Sequence, residues 1–546
     1  MSSTATNAAT TVTSGPSISQ RLADYKTTEL RADLSHLTDG DKRALVKLAD
    51  TSDLLTNVYY QQIWANAPAL RKQLQSDAPK NQTALQELRL FELLRGPWDR
   101  SRDNEPFIAT VGSKPKGANV YPEDMTAEEF TQWITTLSSD ERKRAKGFYD
   151  IIVRQEDGQL ALVTYADAYA KYLVPASALM REAADLVSDK SFAQFLRLRS
   201  QSFVSNEYLD SEVAWLKINH SSPLEAAIGP YETYEDELFS YKAFYESILG
   251  VRDFAATSLL EKFTASLQLV EDNLPIPAQY RNPSLVPPPI VVINQVYNGG
   301  DTSAPLVAAF NLPNDEDAIA RAGSKLTMIK NVQQAKFHSV LQPIAQLILP
   351  QADLIDVTFD AFFGHVLYHE VCHSAGPHTV LGSPGDTVRS HLQDLHSAFE
   401  EAKADITGLF AAKLLIDRGI IDDITLKQFY TTYLASSFRS IRFGLAEAHG
   451  LGQAMQMGYL MEKGAFVHNG GRFEVDVGRM VGAVEALTKE IMLIQGDGSK
   501  ERAVLFKEKY GVLAPEVKAA LERMKSLPVD VEPVWKDMEE LRKKYK

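Results

Sequence analysis

A proline-rich stretch at 273–289, NLPIPAQYRNPSLVPPP, interrupts a chain whose apolar residues otherwise recur mostly at helical spacing. Proline fixes φ and lacks a backbone N–H, so this stretch cannot continue a helix. Before it, from about Ile18 to Glu246, apolar residues recur every three or four positions and Gly and Pro are few. The stretch that follows, IVVINQVYNGG, is β-branched and ends in two glycines, which predicts a strand and a tight turn. We therefore expect an α+β protein that is predominantly helical, with a minor β component near its middle.

These changes of pattern divide the chain into six segments. They are a disordered leader at 1–17, a mostly helical part of a first lobe at 18–253, a crossover with the proline-rich connector at 254–289, a β segment of the first lobe at 290–324, a helical lobe at 325–508 and a helical tail at 509–546. The leader has no apolar core and no arginine before Arg21, so it is typical of neither a secretory signal nor a transit peptide.

The composition excludes several classes of function. Lys+Arg 57 against Asp+Glu 71 gives a net charge of −14, which disfavours a nucleic-acid backbone or an anionic membrane as partner. No run of about 18 or more apolar residues occurs, so no membrane-spanning helix is expected. The single cysteine, Cys372, cannot form an internal disulfide, which excludes a disulfide-stapled secreted scaffold. We therefore expect a cytoplasmic protein without nucleic-acid or membrane partners.

The segment His369-Glu-Val-Cys-His373 carries the clearest chemistry in the sequence. It follows the apolar run FDAFFGHVLY and precedes Ser374-Ala-Gly-Pro377, which predicts the end of a helix. Two imidazoles four residues apart lie on one helix face and can converge on one metal ion. Glu370 then stands where a carboxylate can take a proton from water on that metal. Cys372, between the two histidines, is interpreted as a small buried residue and not as a thiolate ligand.

A second helix supplies candidates for a third ligand. The loop GSPGD, with Asp386 or Thr387 as the N-cap, opens the helical stretch VRSHLQDLHSAFEEAKADITGLFAAKLL. Within it Glu401 and Asp405 share a face, so one can bind a metal while the other orients a ligand imidazole. Two histidines and one carboxylate leave zinc an open position for water, whose pKa the ion lowers towards about 7.

The two blocks HEVCH and EEAKAD together resemble the dipeptidyl peptidase III family of zinc exopeptidases. The signatures of that family are a HExxGH or HExxH helix and an EECRAE/D helix. Three further blocks are similar to the family: Glu232-Thr-Tyr234 to its ETY segment, Phe310-Asn-Leu-Pro-Asn314 to its N-I/L-P-N strand, and Glu447-Ala-His449 to its Q-A-H. All five occur in the family's order, between Gly229 and Phe466. The histidine spacing is that of the short HExxH members, which needs no bulge in the helix.

The resemblance implies a role for each residue of the two metal blocks. His369, His373 and Glu401 would bind zinc, with one ion per chain, and Glu370 would be the general base. Glu400 and Asp405 are similar to the carboxylates that hold the two imidazoles from behind.

The resemblance also implies residues that bind the substrate. Tyr234 and His449 are similar to the groups that stabilise the scissile carbonyl and its developing oxyanion. Glu232, Asn311 and Asn314 are similar to the residues that bind the α-ammonium group and first carbonyls of a peptide. An anionic clamp at a fixed distance from the metal would set the length of the released fragment.

The fold implied by the resemblance has two lobes with a wide cleft that closes on the peptide. One lobe, at 325–508, would be helical, zinc-binding and catalytic, and the other would contain a small β-barrel and the peptide-binding strand. The implied activity is that of a metalloprotease of the aminopeptidase type, a zinc exopeptidase that releases dipeptides from the N-terminus of short peptides by attack of zinc-activated water. The interpretation favours a monomer with short peptides as its partners.

Two alternatives stay open from the sequence. The first is a zinc hydrolase of the same fold that acts on a non-peptide bond of a small molecule. The second is a catalytically idle protein that binds peptides in its cleft, against which the intact Glu370 argues, because an idle protein has no chemical need for that carboxylate.

Overall fold

Helices form most of the chain, as the spacing of its apolar residues predicts. The computed structural model describes residues 15–285, 289–383 and 385–546, so the predicted leader lies outside the described residues at 1–14. Within the described ranges, every helix is too short or too polar to cross a membrane. The buried apolar residues form separate cores in two lobes, which confirms the predominantly helical two-lobe fold class.

The first lobe is built around long helices with short strands between them. Its elements up to the main sheet are α1 (Ile18–Ala23), β1 (Tyr25–Leu30), α2 (Asp39–Ile63), α3 (Ala67–Asp77), α4 (Gln82–Leu94), β2 (Trp98–Asp99), β3 (Glu105–Pro106), α5 (Ala127–Trp133), α6 (Ser139–Ala145), β4 (Asp150–Arg154), β5 (Leu160–Thr164), α7 (Tyr165–Ala168), α8 (Ala170–Leu186), α9 (Lys190–Ser205) and α10 (Leu209–Leu216). Ser17, assigned to the leader from the sequence, caps α1 by accepting the backbone N–H of Gln20. Regular structure is therefore present next to the predicted boundary, and residues 15–17 of the predicted leader belong to the described part of the chain.

Five strands form the largest sheet. They are β6 (Leu224–Glu232), β7 (Phe244–Arg252), β8 (Ile290–Gly300), β9 (Ala309–Leu312) and β10 (Lys325–Ile329). The spatial order is β6-β7-β8-β10-β9, with β8 and β10 parallel and the other neighbouring pairs antiparallel. Within the described residues β6 and β9 are thus the edges of this sheet, and the small β-barrel stays a prediction.

Two boundaries predicted from the sequence need correction at this sheet. The segment 18–253 contains β6 and β7, although LEAAIGPYE is rich in helix-forming residues. Every residue of these two strands except Glu232 is buried, so tertiary packing overrides local propensity here. The segment 325–508 is not helical from its start, because Lys325–Ile329 is a strand of the first lobe's sheet.

The crossover ties the first lobe to the second one. It contains α11 (Phe254–Thr264) and α12 (Leu267–Asp272), and the residues 286–288 of its proline-rich end lie outside the described residues. Both helices contribute buried residues to the core of the second lobe. The Phe263 ring stacks on Tyr368 with 3.9 Å between the centroids, directly beside the HEVCH segment. The crossover therefore supports the helix that carries the two histidines.

The second lobe is a helical assembly with one small hairpin. After α13 (Glu316–Ala322) of the first lobe come α14 (Lys330–Lys336), α15 (Gln342–Ile348), α16 (Phe359–Cys372), α17 (Val388–Leu392), α18 (His396–Asp417), α19 (Leu426–Ile441), α20 (Ala448–Glu462), β11 (Phe466–Asn469), β12 (Arg472–Val475), α21 (Val477–Gly496) and α22 (Lys500–Tyr510). Helix α18 runs through the middle and packs against α16, α20 and α21. This central position brings residues of three helices to one place.

The tail is not helical throughout, contrary to the prediction for 509–546. Between α23 (Pro515–Arg523) and α24 (Lys536–Tyr545) lies β13 (Asp530–Trp535), which pairs in parallel with β1. Helix α24 then packs on α2, so the tail returns to the first lobe. Local sequence cannot show a pairing between segments about 500 residues apart.

Candidate metal centre

Helix α16 presents the HEVCH segment at its C-terminal end. Thr358 caps its N-terminus by accepting the backbone N–H of Ala361. His373 is the C-cap, still with helical φ and ψ, and Gly376, with φ of 74°, follows as the chain turns away. His369 and His373 therefore lie one turn apart on the same face.

Two glycines let neighbouring helices approach the metal residues closely. A Cβ on Gly408 of α18 would lie 3.2 Å from the Tyr368 side chain and 3.3 Å from the His369 backbone nitrogen. A Cβ on Gly452 of α20 would lie 3.0 Å from the Ala398 carbonyl of α18 and 3.5 Å from Glu401 Cβ. These close approaches bring α16, α18 and α20 together around one point.

Three side chains converge at that point. The Nε2 atoms of His369 and His373 are 3.2 Å apart, and Glu401 Oε2 lies 3.2 Å from the first and 3.8 Å from the second. Their ligand atoms all lie within 4.8 Å of one another, as one ion requires. Glu401 Oε2 is buried, yet none of the described residues meets it in hydrogen-bonding geometry. A divalent cation bound by these three groups would satisfy that oxygen, so the donor set fits a metal.

Each imidazole is held from behind by a carboxylate. His369 Nδ1 donates to Asp405 Oδ1 at 2.8 Å, and His373 Nδ1 donates to Glu400 Oε1 at 3.0 Å. Burial would raise the pKa of Asp405, but the His369 imidazole outweighs it and holds that pKa below its usual value. These hydrogen bonds fix the tautomer that leaves both Nε2 atoms free for a metal.

Glu401 is ionised as a ligand must be. Burial alone would raise its pKa, but the imidazoles of His369 and His449 hold the pKa of Glu401 well below its usual value. His449 Nδ1 lies 3.0 Å from Glu401 Oε2. Its helix, α20, is capped by Glu447, whose side chain accepts the backbone N–H of Gly450 at 2.9 Å.

His369 and the neighbouring Glu370 open onto a cavity of about 730 Å³ between the lobes. His369, Glu370, Asp405 and His449 line it from the second lobe, and Pro305, Val307, Ala308 and Ala309 line it from the first lobe. The Glu370 side chain is thus exposed to the cavity next to a metal ligand, where a water molecule has room. This is the arrangement that a general base requires.

The residues expected to bind the substrate are placed less tightly. Tyr234 follows β6 and is 81% exposed, so it does not line the cavity around the metal residues. Asn314 Nδ2 donates to the Tyr231 carbonyl at 3.1 Å and lies beside Glu232, while Asn311 is an exposed residue of the edge strand β9. The structure brings the metal-block residues and His449 together, and it leaves Tyr234, Glu232 and the two asparagines across the cleft.

The second helix is not continuous, contrary to the sequence prediction. Thr387 is its N-cap, but the chain breaks at Gln393, with φ of 53°, into the short α17 and the longer α18. Cys372 is fully buried in the core, and burial raises the pKa of its thiol to about 12, so it stays protonated at neutral pH.

Several residues missed from the sequence complete the site. Lys403 is completely buried and its Nζ lies 2.8 Å from Glu400 Oε1 and 2.9 Å from the His373 carbonyl. Asp405 Oδ2 accepts Gln453 Nε2 at 2.5 Å and Gln456 Nε2 at 3.3 Å. His449, Gln453 and Gln456 recur at helical spacing on one face of α20, and this polar stripe was the available signal.

Comparisons with known proteins agree with this geometry. Residues 127–377 match the family described as Peptidase family M49. The chain is similar to the structure of DPP III from Caldithrix abyssi, with 35% identity and a TM-score of 0.92 over 96% of this chain and 100% of that one. It is also similar to dipeptidyl-peptidase III from Corallococcus sp. strain EGB, with 42% identity and a TM-score of 0.82 over 97% and 98% of the two chains.

A plant relative carries a different name. Nudix hydrolase 3 of Arabidopsis thaliana is 39% identical over 573 residues, which cover 95% of this chain and 74% of that protein. About a quarter of that plant protein lies outside the aligned region. Its name therefore carries less weight than two solved structures that align with nearly the whole of this chain. The chain therefore belongs to peptidase family M49, the dipeptidyl peptidase III family, and is a metallo-dipeptidyl peptidase.

Proposed function

We propose that this metallopeptidase binds one zinc ion through His369, His373 and Glu401 and releases dipeptides from the N-terminus of short peptides. The observation that carries the proposal is the convergence at one point of two Nε2 atoms and Glu401 Oε2, an oxygen that no described residue meets in hydrogen-bonding geometry. Two imidazoles and one carboxylate are a donor set that suits zinc and leaves a position open for chemistry. When bound, the ion would act as a Lewis acid and lower the pKa of water at the site.

Glu370 is the proposed general base. It follows the first ligand on α16 and its side chain faces the cavity, so it can accept a proton from water and later deliver it to the leaving amine. His449, on the other side of Glu401, is proposed to donate to the developing oxyanion together with Tyr234. Tyr234 keeps its phenolic proton at neutral pH, because partial burial and the nearby Glu232 raise its pKa above the ordinary value of tyrosine.

The edge strand β9 is the proposed track for the peptide. An extended peptide can add to an exposed sheet edge through backbone hydrogen bonds, and β9 is such an edge. Glu232 and Asn314 lie together beyond its end, where they are proposed to bind the α-ammonium group, with Asn311 on the strand itself holding a carbonyl. Burial raises the pKa of Glu232, and a bound ammonium group would favour the ionised form.

The two alternatives are less well supported. A hydrolase of a non-peptide bond would have no use for an ammonium clamp at the end of an edge strand, and an idle binding protein would have no use for Glu370 in the cavity. We further propose a cytoplasmic monomer, since the single buried Cys372 offers no internal disulfide for an oxidising compartment. Size-exclusion chromatography with light scattering, and fractionation of the source cells, test these two points.

The experiment that tests the function is mass spectrometry of the products from an unblocked hexapeptide. We expect dipeptides as the first products, no cleavage of the N-acetylated hexapeptide, and loss of cleavage with a chelator that zinc restores. Single amino acids or internal fragments as first products would contradict the proposal.

Glu370→Gln tests the proposed base. We expect kcat to fall by about 10²- to 10⁴-fold, while inductively coupled plasma mass spectrometry still finds one zinc per chain. The matched control is Asp360→Asn, which makes the same chemical change at an exposed position of the first turn of α16 and should leave the rate unchanged.

A further inference from the structure

Arg439 is a half-buried cation on the cavity wall that forms no ion pair with any described residue. It lies near the end of α19 and lines the cavity that also contains His369 and Glu370. Its Nε is buried and has no hydrogen-bond partner among the described residues. Burial lowers the pKa of Arg439, and the opposing effect comes from Asp530.

Asp530 lies beside another cation. Its Oδ1 is 2.8 Å from Lys336 Nζ, and its Oδ2 accepts the backbone N–H of Leu306 at 2.5 Å. Asp530 therefore shares its charge with Lys336, and it forms no close ion pair with Arg439. The guanidinium stays charged at neutral pH, and placing a charge in a partly buried position without a close partner costs stability.

Other arginines near this cleft are fully engaged. Arg100, on the first-lobe side of the same cavity, pairs with Glu235 at 2.5 Å and with Asp301 at 2.6 Å. Arg442, three residues after Arg439, donates to the carbonyls of residues 524, 527 and 528. Arg439 thus differs from these two arginines, because it lines the cavity and has no hydrogen bond or ion pair to a described residue.

The path of the peptide places one end of the substrate near Arg439. If the α-ammonium group is held beyond the Asn314 end of β9, the peptide continues along that edge towards Ala309 and Pro305. Pro305 and Ala309 line the same cavity as Arg439 and Glu370. The part of the peptide beyond the scissile bond then enters the cavity that Arg439 lines.

We infer that Arg439 binds the C-terminal carboxylate of a short peptide substrate and so sets a preference for short peptides with a free C-terminus. The inference rests on the proposed function, because it takes the direction of the peptide from the proposed ammonium clamp. Guanidinium and carboxylate form paired N–H···O hydrogen bonds, and both groups are ionised at neutral pH. Ser436 and Ser440, which line the cavity next to Arg439, add hydroxyl donors.

The test compares free-acid and C-terminally amidated peptides of four to eight residues that contain no Asp or Glu, so that the C-terminus is their only carboxylate. With the zinc-loaded wild type, we expect the free acid to be preferred at one length by about 10- to 100-fold, mainly through a lower KM, as for a hydrogen bond between charged groups. Arg439→Gln should lose this preference by raising KM for the acid while leaving the amide almost unchanged. Arg439→Lys should keep part of this preference, because lysine retains the positive charge but lacks the planar guanidinium that binds both carboxylate oxygens.

Arg442→Gln is the matched control, since it removes the same charge from the same helix end but its guanidinium points at backbone carbonyls. It should retain the preference. An unchanged acid-to-amide ratio in Arg439→Gln would overturn the inference. A wild type that shows no preference between acid and amide at any length would also overturn it. This second result needs no variant, so it holds even if Arg439→Gln folds poorly. Products other than dipeptides from both peptide forms would instead overturn the proposed function, while the acid-to-amide ratio would still report on Arg439.

Discussion

Lys403 offers the sharpest test of how this chain holds its metal ligands. Its Nζ lies 2.8 Å from Glu400 Oε1 and 2.9 Å from the His373 carbonyl, with the side chain fully buried. It therefore fixes both the carboxylate behind His373 and the backbone of His373 itself. Lys403→Met would remove both contacts while filling a similar volume, and it would leave Glu400 without its nearest cation.

The expected magnitude follows from what remains. Breaking a fully buried ion pair costs about 3–5 kcal/mol. Glu400, however, is 20% exposed and keeps His373 Nδ1 at 3.0 Å and Gln495 Nε2 at 3.1 Å. We therefore expect a smaller effect on the metal, a zinc Kd raised about 10- to 100-fold, the range found when a group that orients a ligand is lost. In free energy this is about 1.4–2.7 kcal/mol.

The assay is competition for zinc with a chelator of known affinity, read together with thermal melting of the metal-free protein. Lys403→Arg should restore near-wild-type affinity, because arginine stands at this place in the family signature that EEAKAD resembles. Lys413→Met is the matched control: it removes an exposed lysine of the same helix that pairs with Asp417. A zinc Kd for Lys403→Met within twofold of the wild type would refute the reasoning.

Two further predictions concern the cleft and the pH dependence of stability. Tyr234→Phe should lower kcat by about 10²- to 10³-fold with bound zinc unchanged, because it removes one proposed oxyanion donor, and a rate within threefold of the wild type would contradict that role. Lys242 is buried with its Nζ donating to the carbonyls of Ala145 and Gly147 at 2.8 and 2.9 Å, and burial lowers its pKa to about 8. The native state therefore loses this proton at a lower pH than the unfolded state does. The free energy of unfolding should rise between pH 8 and about 10.4 by up to about 1.4 kcal/mol per pH unit. Denaturant titrations should show this rise in the wild type relative to Lys242→Met, and parallel pH profiles of the two proteins would contradict it.

The residues of the two metal blocks could be proposed from the sequence because the spacing within each block is local. His369 and His373 are one helical turn apart, and so are Glu401 and Asp405, which makes their shared faces a property of the local chain. Only the contact between the two helices depends on residues that are distant in the sequence. The glycines that permit that approach, Gly408 above all, carry no metal signature.

The remaining features depend on distant contacts. Leu224–Glu232 is rich in helix-forming residues, but it is a strand because it pairs with β7 and is buried by distant parts of the chain. Gln453 and Gln456 gain a function only because Asp405 of another helix lies opposite. Arg439 is notable because its Nε has no hydrogen-bond partner among the described residues. A sequence pattern cannot predict the absence of such a partner.

The pairing of β1 with β13 has a consequence for how the protein is made. Thr27 on β1 donates to Glu532 on β13 at 2.8 Å, and Tyr545 of α24 donates to Asp39 of α2 at 2.6 Å, across about 500 residues. The strand and helix that cover this side of the first lobe therefore leave the ribosome only after the whole catalytic lobe has been translated. Until then a nascent first lobe exposes an unpaired strand edge, and closing so long a loop is slow. Premature termination before residue 530 should thus harm the lobe that was synthesised first, and not the lobe nearest the break.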